Sequence, residues 1–246
     1  EDNILWNNYY EYAFAQNRHI DGYITATEEQ NRLLKKQFKR YMDIMPRIVT
    51  IPVGSLDVLK YPENGRRKHS LITASRLASE KHIDWLIEAV VPARAKVEDL
   101  TFDIYGKGGE EKSLKELIER LGCGAYVHLK GQQNLEEVYK NYEAYVSAST
   151  SEGFGLTLME AVGSGLPIIG FNVRYGNPTF IDNARNGYLI QVDDMTEKKE
   201  RIRKLTDRII KLFTKADLEK FHQHSYKKAE NYLTAEVEKK WNLLLH

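Results

Sequence analysis

Between residues 70 and 171 the chain alternates short apolar runs with longer amphipathic stretches. Five-residue runs at 70–74, 101–105, 126–130, 144–148 and 167–171 are rich in β-branched, aromatic and small side chains, the signature of strands covered on both faces. The stretches 82–96, 110–121, 134–142 and 156–163 carry apolar positions at helical spacing and predict four helices. Strands alternating with helices predict an α/β fold with a parallel sheet and right-handed crossovers. Ahead of this block, residues 22–27 read as a short strand. Residues 28–41 read as a basic amphipathic helix with Leu33, Leu34 and Phe38 on one face. Residues 1–19, with Trp6, Tyr9, Tyr10, Tyr12 and Phe14, read as an aromatic-rich helix. A polar, charged region at 192–201 precedes three further helices ending near 213, 233 and 246, and no internal repeat or low-complexity tract interrupts the pattern.

Composition narrows the function classes. The chain has 246 residues, 42% hydrophobic and 29% charged, enough for a real core in one large or two small domains. Thirty-six basic against 35 acidic residues leave a net charge of +1, which favours neither a nucleic-acid partner nor a broad membrane surface. No apolar run approaches the ~20 residues that span a bilayer. The single cysteine, Cys123, excludes an internal disulfide, fits a reducing compartment and reads as a packing residue. No secretory leader opens the chain, and its start at Glu1 rather than Met reads as a piece of a longer protein.

The strongest chemical signal lies at the end of the fourth run. Tyr145–Ser147 and Ala148 lead into Ser149-Thr150-Ser151-Glu152-Gly153-Phe154-Gly155-Leu156-Thr157, and a helix containing Glu160 follows. A strand, a glycine-bearing loop and a helix start aim backbone N–H groups and the positive helix end at an anion. Gly153 and Gly155 permit close approach of a ligand. Glu152 and Glu160 cannot favour phosphate, but each can accept hydrogen bonds from hydroxyls. Together these features fit a ligand with phosphates in the middle and sugar hydroxyls at both ends, a nucleotide sugar. The same turn also occurs in α/β proteins as a plain connection. Arg76 and Lys81, after the first central run, supply a planar fork and a point charge for a diphosphate; each alone also reads as ordinary surface charge. Thr157 could donate its hydroxyl, or serve simply as a first-turn residue.

Other chemistries fit less well. A dinucleotide fingerprint beginning at Gly106 and Gly108 lacks its third glycine, since that position is Glu111. No phosphate-loop motif and no Asp-x-Asp pair occurs. His128 reads more as a structural residue, and His222 and His224 read as surface residues.

Glu152 to Glu160 matches the E-x7-E signature, and the chain resembles the group 4 retaining glycosyltransferases of the two-domain GT-B fold. Ile72–His82 is similar to that family's "GRL…K" segment, Phe102–Gly109 to its strand-to-"GxG" turn, Tyr126–Gly131 to its nucleobase strand, and Asn186–Ile190 to its "NGxL" turn. The resemblance implies the C-terminal half of a GT-B fold, a Rossmann-like parallel sheet flanked by helices. It places 1–46 in the end of the N-terminal acceptor domain, 47–232 in the nucleotide-sugar-binding domain and 233–246 in a helix crossing back. It implies Glu152, Arg76 and Lys81 as catalytic groups, and Glu160, Gly153, Phe154, Gly155, Leu156, Thr157, Gly106, His128 and Lys130 as donor-binding ones. No cofactor or metal is implied. Within the family, Phe171–Ile181 and the Gly155–Gly165 stretch resemble two branches: enzymes that glycosylate serine-rich repeat adhesins, and poly(glycerol-phosphate) α-glucosyltransferases of teichoic acid synthesis. The first is the nearer. It implies a hexose, N-acetylglucosamine or glucose, moved from a UDP-sugar to Ser/Thr hydroxyls or, in the second branch, to a cell-wall polymer. It also implies a cytoplasmic setting, with the inner face of the membrane open as an attachment, and a stabilising glycosyltransferase subunit; with the acceptor half missing, this piece is expected to bind the nucleotide weakly and not to turn over. A non-catalytic stabilising subunit is the competing class; the presence of all four charged residues argues for the catalytic partner.

Overall fold

A computed structural model describes residues 19–41 and 45–245, so nearly all of the helix read over 1–19 lies outside the described residues. The chain divides into two compact units, Glu1–Val53 and Gly54–His246. In the first, β1 (Gly22–Thr25) and β2 (Arg47–Thr50) pair in parallel, with α1 (Glu28–Tyr41) between them in sequence. Thr27 and Gln30 set the helix start: the Thr27 hydroxyl accepts from the Gln30 amide at 3.1 Å, and the Gln30 side chain accepts from the Ala26 and Thr27 amides. This reciprocal cap satisfies donors that a helix end leaves open. β2 thus pairs with β1 inside the first compact unit, which runs to Val53.

The second unit is built on six parallel strands: β3 (Ser70–Ala74), β4 (Thr101–Tyr105), β5 (Val127–Gly131), β6 (Ala144–Ser147), β7 (Ile168–Phe171) and β8 (Gly187–Ile190), in the order β5-β4-β3-β6-β7-β8. Every residue of β3, β6 and β7 is buried. Continuous apolar runs suit this position because helices cover both faces. Helices α2 (Ile83–Arg94), α3 (Glu111–Arg120) and α4 (Leu156–Gly163) follow β3, β4 and β6; α5 (Gly176–Phe180), α6 (Lys198–Lys215), α7 (Leu218–Ala229) and α8 (Thr234–Leu245) complete the unit. Leu86, Ile87 and Val90 of α2 join Leu205, Ile209 and Leu212 of α6 in the main core. Each such side chain contributes about 2 kcal/mol on burial. The order reverses between β3 and β6, and open sheets of this kind bind ligands at that reversal, outside the carboxyl ends of the strands. The α/β class and the Rossmann-like sheet expected from sequence are therefore present.

Three local readings change. The helix over 134–142 is only a 3₁₀ turn at Tyr139–Asn141. Its carbonyls are captured from outside: Arg66 donates to the Lys140 and Tyr142 carbonyls, each at 2.9 Å, and the Arg67 amide to that of Asn141 at 2.8 Å. Asn186–Ile190, read as a turn, is mostly the edge strand β8, paired with β7 from Ile168↔Gly187 onward. His222 is buried, not on the surface; its Nδ1 lies 2.7 Å from the Gly165 carbonyl, and burial holds the imidazole down to about 4. Among the described residues no helix is long and apolar enough to cross a membrane.

Candidate functional site

Three loops meet where the strand order reverses. The first runs from Ser75 to His82, between β3 and α2. It is fastened to the loop after β4 by hydrogen bonds from the Ser75 amide to the Tyr105 carbonyl (3.1 Å), from Leu77 to Lys107 (3.0 Å) and from Glu110 to Leu77 (3.1 Å). That seam requires Gly106: its φ is +134°, and a Cβ there would stand 1.8 Å from the Ser75 carbonyl oxygen. The second loop, Ala148–Gly155, joins β6 to α4. Gly155 turns it into the helix in a left-handed conformation (φ +91°), and no side chain caps the helix start. The first amide groups of α4 are thus open to an anion. The third loop, 172–175, follows β7 and is held to the second by its backbone. Glu152 donates to the Arg174 carbonyl at 3.0 Å and accepts from the amides of Tyr175 and of Gly176, the latter at 2.9 Å.

Charge is concentrated at this junction. The Lys81 ammonium donates to Glu152 Oε2 at 2.8 Å and to Ser149 Oγ at 3.2 Å. Both partners of the ion pair are shielded, with 16% and 20% of their side chains exposed. The Thr150 amide donates to the Glu80 carbonyl at 3.2 Å, closing the first loop on the second. Arg76 projects into solvent, 79% exposed, and meets Glu80 at 3.0 Å. Thr157, in the first turn of α4, lies 3.2 Å from the hydroxyl of the fully buried Tyr145, which itself donates to the Ala74 carbonyl. Glu160, one turn on, keeps an exposed tip, while burial of its inner side pushes the carboxyl up and the neighbouring Tyr139 hydroxyl pulls it partly back.

Two clefts open beside this junction, on Arg76, Thr157 and Glu160 but not on Lys81 or Glu152. The larger, about 830 Å³, is lined by Arg76, Tyr105, Gly106, Gln132, Gln133 and Thr157 among others. The smaller, about 320 Å³, is lined by Leu56, Lys60, Asn134, Tyr139, Glu160 and neighbours. Leu135 borders both.

Of the residues singled out from sequence, the fold gathers Arg76, Lys81, Gly106, Glu152, Thr157 and Glu160 along this line. Gly153 and Gly155 shape the turn. Phe154 faces inward, only 7% exposed, with its ring 5.3 Å from Phe180 and 6.2 Å from Tyr232, so its side chain packs in the core. Leu156 is half exposed at the helix start. His128 and Lys130, on β5, line neither cleft. His128 Nδ1 is 2.7 Å from Asp103, whose carboxylate also accepts from Tyr142 (2.5 Å) and Arg67 (2.9 Å). Burial alone would push the Asp103 carboxyl up; hydrogen bonds from Tyr142, His128 and Arg67 together hold it below its ordinary value. Sequence reasoning missed Ser149, Tyr139 and Tyr145 as supports. The aromatic positions on either side of the strand start at 144 were visible, but not what they would touch.

Comparison with known proteins identifies the family. The family described as glycosyl transferases group 1 matches residues 61–217. The chain is 55% identical over 245 residues to the GtfA subunit of the UDP-N-acetylglucosamine–peptide N-acetylglucosaminyltransferase of Streptococcus gordonii, covering 100% of this chain and 48% of that protein. It superimposes on the crystal structure of a pneumococcal O-GlcNAc transferase GtfA in complex with UDP and GlcNAc with a TM-score of 0.91 and 50% identity, over 99% of this chain and 48% of that one. Against a GtfA/B complex the TM-score is 0.96 with 54% identity, over 100% and 49% of the two chains. The chain thus spans about half the length of the relatives it matches. With the family matched across most of the second unit and the signature carboxylates at the open helix end, the chain belongs to the glycosyl transferases group 1 family.

Proposed function

We propose that this chain supplies the donor-binding half of a retaining transferase that moves N-acetylglucosamine from UDP-N-acetylglucosamine to Ser/Thr hydroxyls of a serine-rich protein. One arrangement carries this: the Lys81–Glu152 pair stands beside the open end of α4, with Glu160 a turn further along the same helix. The charges alternate as the ligand's do, with cations and amides for the diphosphate and carboxylates for the hydroxyls on either side. The activity named for the S. gordonii relative supports the choice of donor. The portion of such relatives outside the match would hold the acceptor, and a second glycosyltransferase subunit would stabilise the pair.

In this reading Arg76, Lys81 and the first amides of α4 take up the diphosphate charge without a metal. Phosphate competes for the Lys81 ammonium and releases Glu152 towards the sugar, where its charge stabilises the positive anomeric carbon. Glu160 accepts from the ribose hydroxyls. The base lies beside Gln132 and Gln133, with His128 fixing the strand end below and Lys130 presenting its ammonium at that end. The bond from the anomeric carbon to the phosphate oxygen breaks as the acceptor oxygen bonds on the same face, and the acceptor's proton passes to the leaving phosphate. The reaction takes place in the cytoplasm.

Calorimetric titration with UDP, GDP and ADP tests the reading, alongside Glu160→Ala and Arg76→Ala. UDP-selective binding that both variants lose is the expected result. Binding of no nucleotide, by this chain or by the full-length protein, would sink it. UDP-N-acetylglucosamine against UDP-glucose then separates the two sugars.

A further inference from the structure

Beneath the outer face of α4 lie two tyrosines. Tyr145, on β6, fixes Thr157. Tyr139, in the 3₁₀ turn, is packed with its ring 6.2 Å from that of Tyr145 and is 1% exposed, yet its hydroxyl closes no hydrogen bond. A buried hydroxyl without a partner costs stability and needs a reason. Tyr139 and Glu160 line the same cleft, and Glu160 and Tyr145 are the charged and polar groups that act on the Tyr139 hydroxyl. The other ionisable groups on that cleft are Asp57, Lys60 and Glu136; Lys60 is already engaged by Glu136 and Glu137 at 2.9 and 2.7 Å.

We propose that Tyr139 is a positioning residue for nucleotide recognition: its hydroxyl donates to the Glu160 carboxylate when a ligand's vicinal hydroxyls engage that carboxylate from the cleft. Bound on one side by Tyr139, the carboxylate presents its remaining lone pairs in a fixed direction. This rests on the reading of Glu160 as the ribose-facing group. The idle hydroxyl then has its reason, because an acceptor that must bind two hydroxyls from outside is held by one donor from inside. Burial pushes the Glu160 carboxyl up and the Tyr139 hydroxyl opposes it, so once a ligand has brought the two together, removing the hydroxyl leaves a carboxyl that protonates more readily.

The test uses the 246-residue chain and Tyr139→Phe, which removes one oxygen that has no partner and preserves the ring packing. Carbon-13 NMR of labelled glutamate carboxyls, with Glu160 assigned by Glu160→Gln, reads the titration at saturating UDP. Calorimetry with UDP and 2′-deoxy-UDP reads recognition. In Tyr139→Phe the Glu160 midpoint should move to higher pH, UDP should bind about tenfold more weakly at neutral pH, and the preference for UDP over 2′-deoxy-UDP should shrink. In a Glu160→Gln background the Tyr139→Phe change should have no further effect on UDP. An unmoved Glu160 titration, or UDP affinity equal to that of the unaltered chain, overturns the proposal. If the titration moves but the unaltered chain binds UDP and 2′-deoxy-UDP alike, the Tyr139–Glu160 coupling stands and the ribose assignment falls.

Discussion

The Lys81–Glu152 pair makes the sharpest demand on the proposed site, because its two members should respond to mutation alike in stability and oppositely in binding. An exposed ion pair contributes about 0–1 kcal/mol, whereas truncating one member of a buried pair costs about 3–5 kcal/mol. With 16% and 20% of the side chains exposed and a 2.8 Å contact, this pair lies between those limits. Glu152→Gln keeps the shape of the side chain and leaves the ammonium with Ser149 Oγ at 3.2 Å. Lys81→Met leaves the carboxylate with no cation. Each should cost about 1–2 kcal/mol, or roughly 3–6 °C in melting temperature for a chain of this size. Nucleotide affinity should split them. Glu152→Gln removes the phosphate's competitor for Lys81 and a negative charge beside it, so UDP should bind about three- to tenfold more tightly; Lys81→Met should weaken it at least about tenfold. Thermal melts and UDP titrations of both variants decide the matter. If both variants weaken UDP binding, Glu152 contacts the nucleotide directly and the exchange of Lys81 between carboxylate and phosphate is wrong. If neither melts earlier, the pair is not a structural link at all.

Two further outcomes follow from local geometry. Gly106→Ala places a Cβ 1.8 Å from the Ser75 carbonyl, so it should open the seam between the first loop and the loop after β4, lower the melting temperature by several degrees and weaken UDP binding; a variant that melts and binds like the parent refutes the seam. His222, held at about 4 by burial against an ordinary value of 6.5, contributes stability that is whole above pH 6.5 and is lost as pH falls towards 4, about 3 kcal/mol in all. Denaturant unfolding should show that acid-side loss shrinking in His222→Gln, and an unchanged slope would refute it.

What was legible in the sequence was what one stretch of chain decides alone. Strands β3 and β4 and helix α4 fall where the apolar pattern puts them, because continuous burial leaves a continuous apolar run. The glycine-bearing turn and the two glutamates were legible for the same reason: a strand, a left-handed Gly155 and an uncapped helix start are local chemistry. The stretch 134–142 misled because Leu135, Val138 and Tyr139 have helical spacing, while Arg66, some seventy residues earlier in the chain, takes two carbonyls of its last turn. His222 read as surface because a polar helical segment surrounds it; the acceptor that draws it inward, Gly165, is 57 residues away.

The long-range partners are also what make the site a site. Lys81 and Glu152 stand 71 positions apart and meet only because β3 and β6 are neighbours at the point where the strand order reverses. Each loop is held chiefly by another loop's backbone: the first by the loop after β4, the second by Glu80 and Arg174, the third by Glu152. Such loops share their order, since loosening one removes hydrogen bonds from the next. A ligand that bridges Lys81, the α4 amides and Glu160 would tie the same loops together. Binding should therefore stabilise the second unit beyond the residues it touches, in proportion to the logarithm of ligand excess over its dissociation constant.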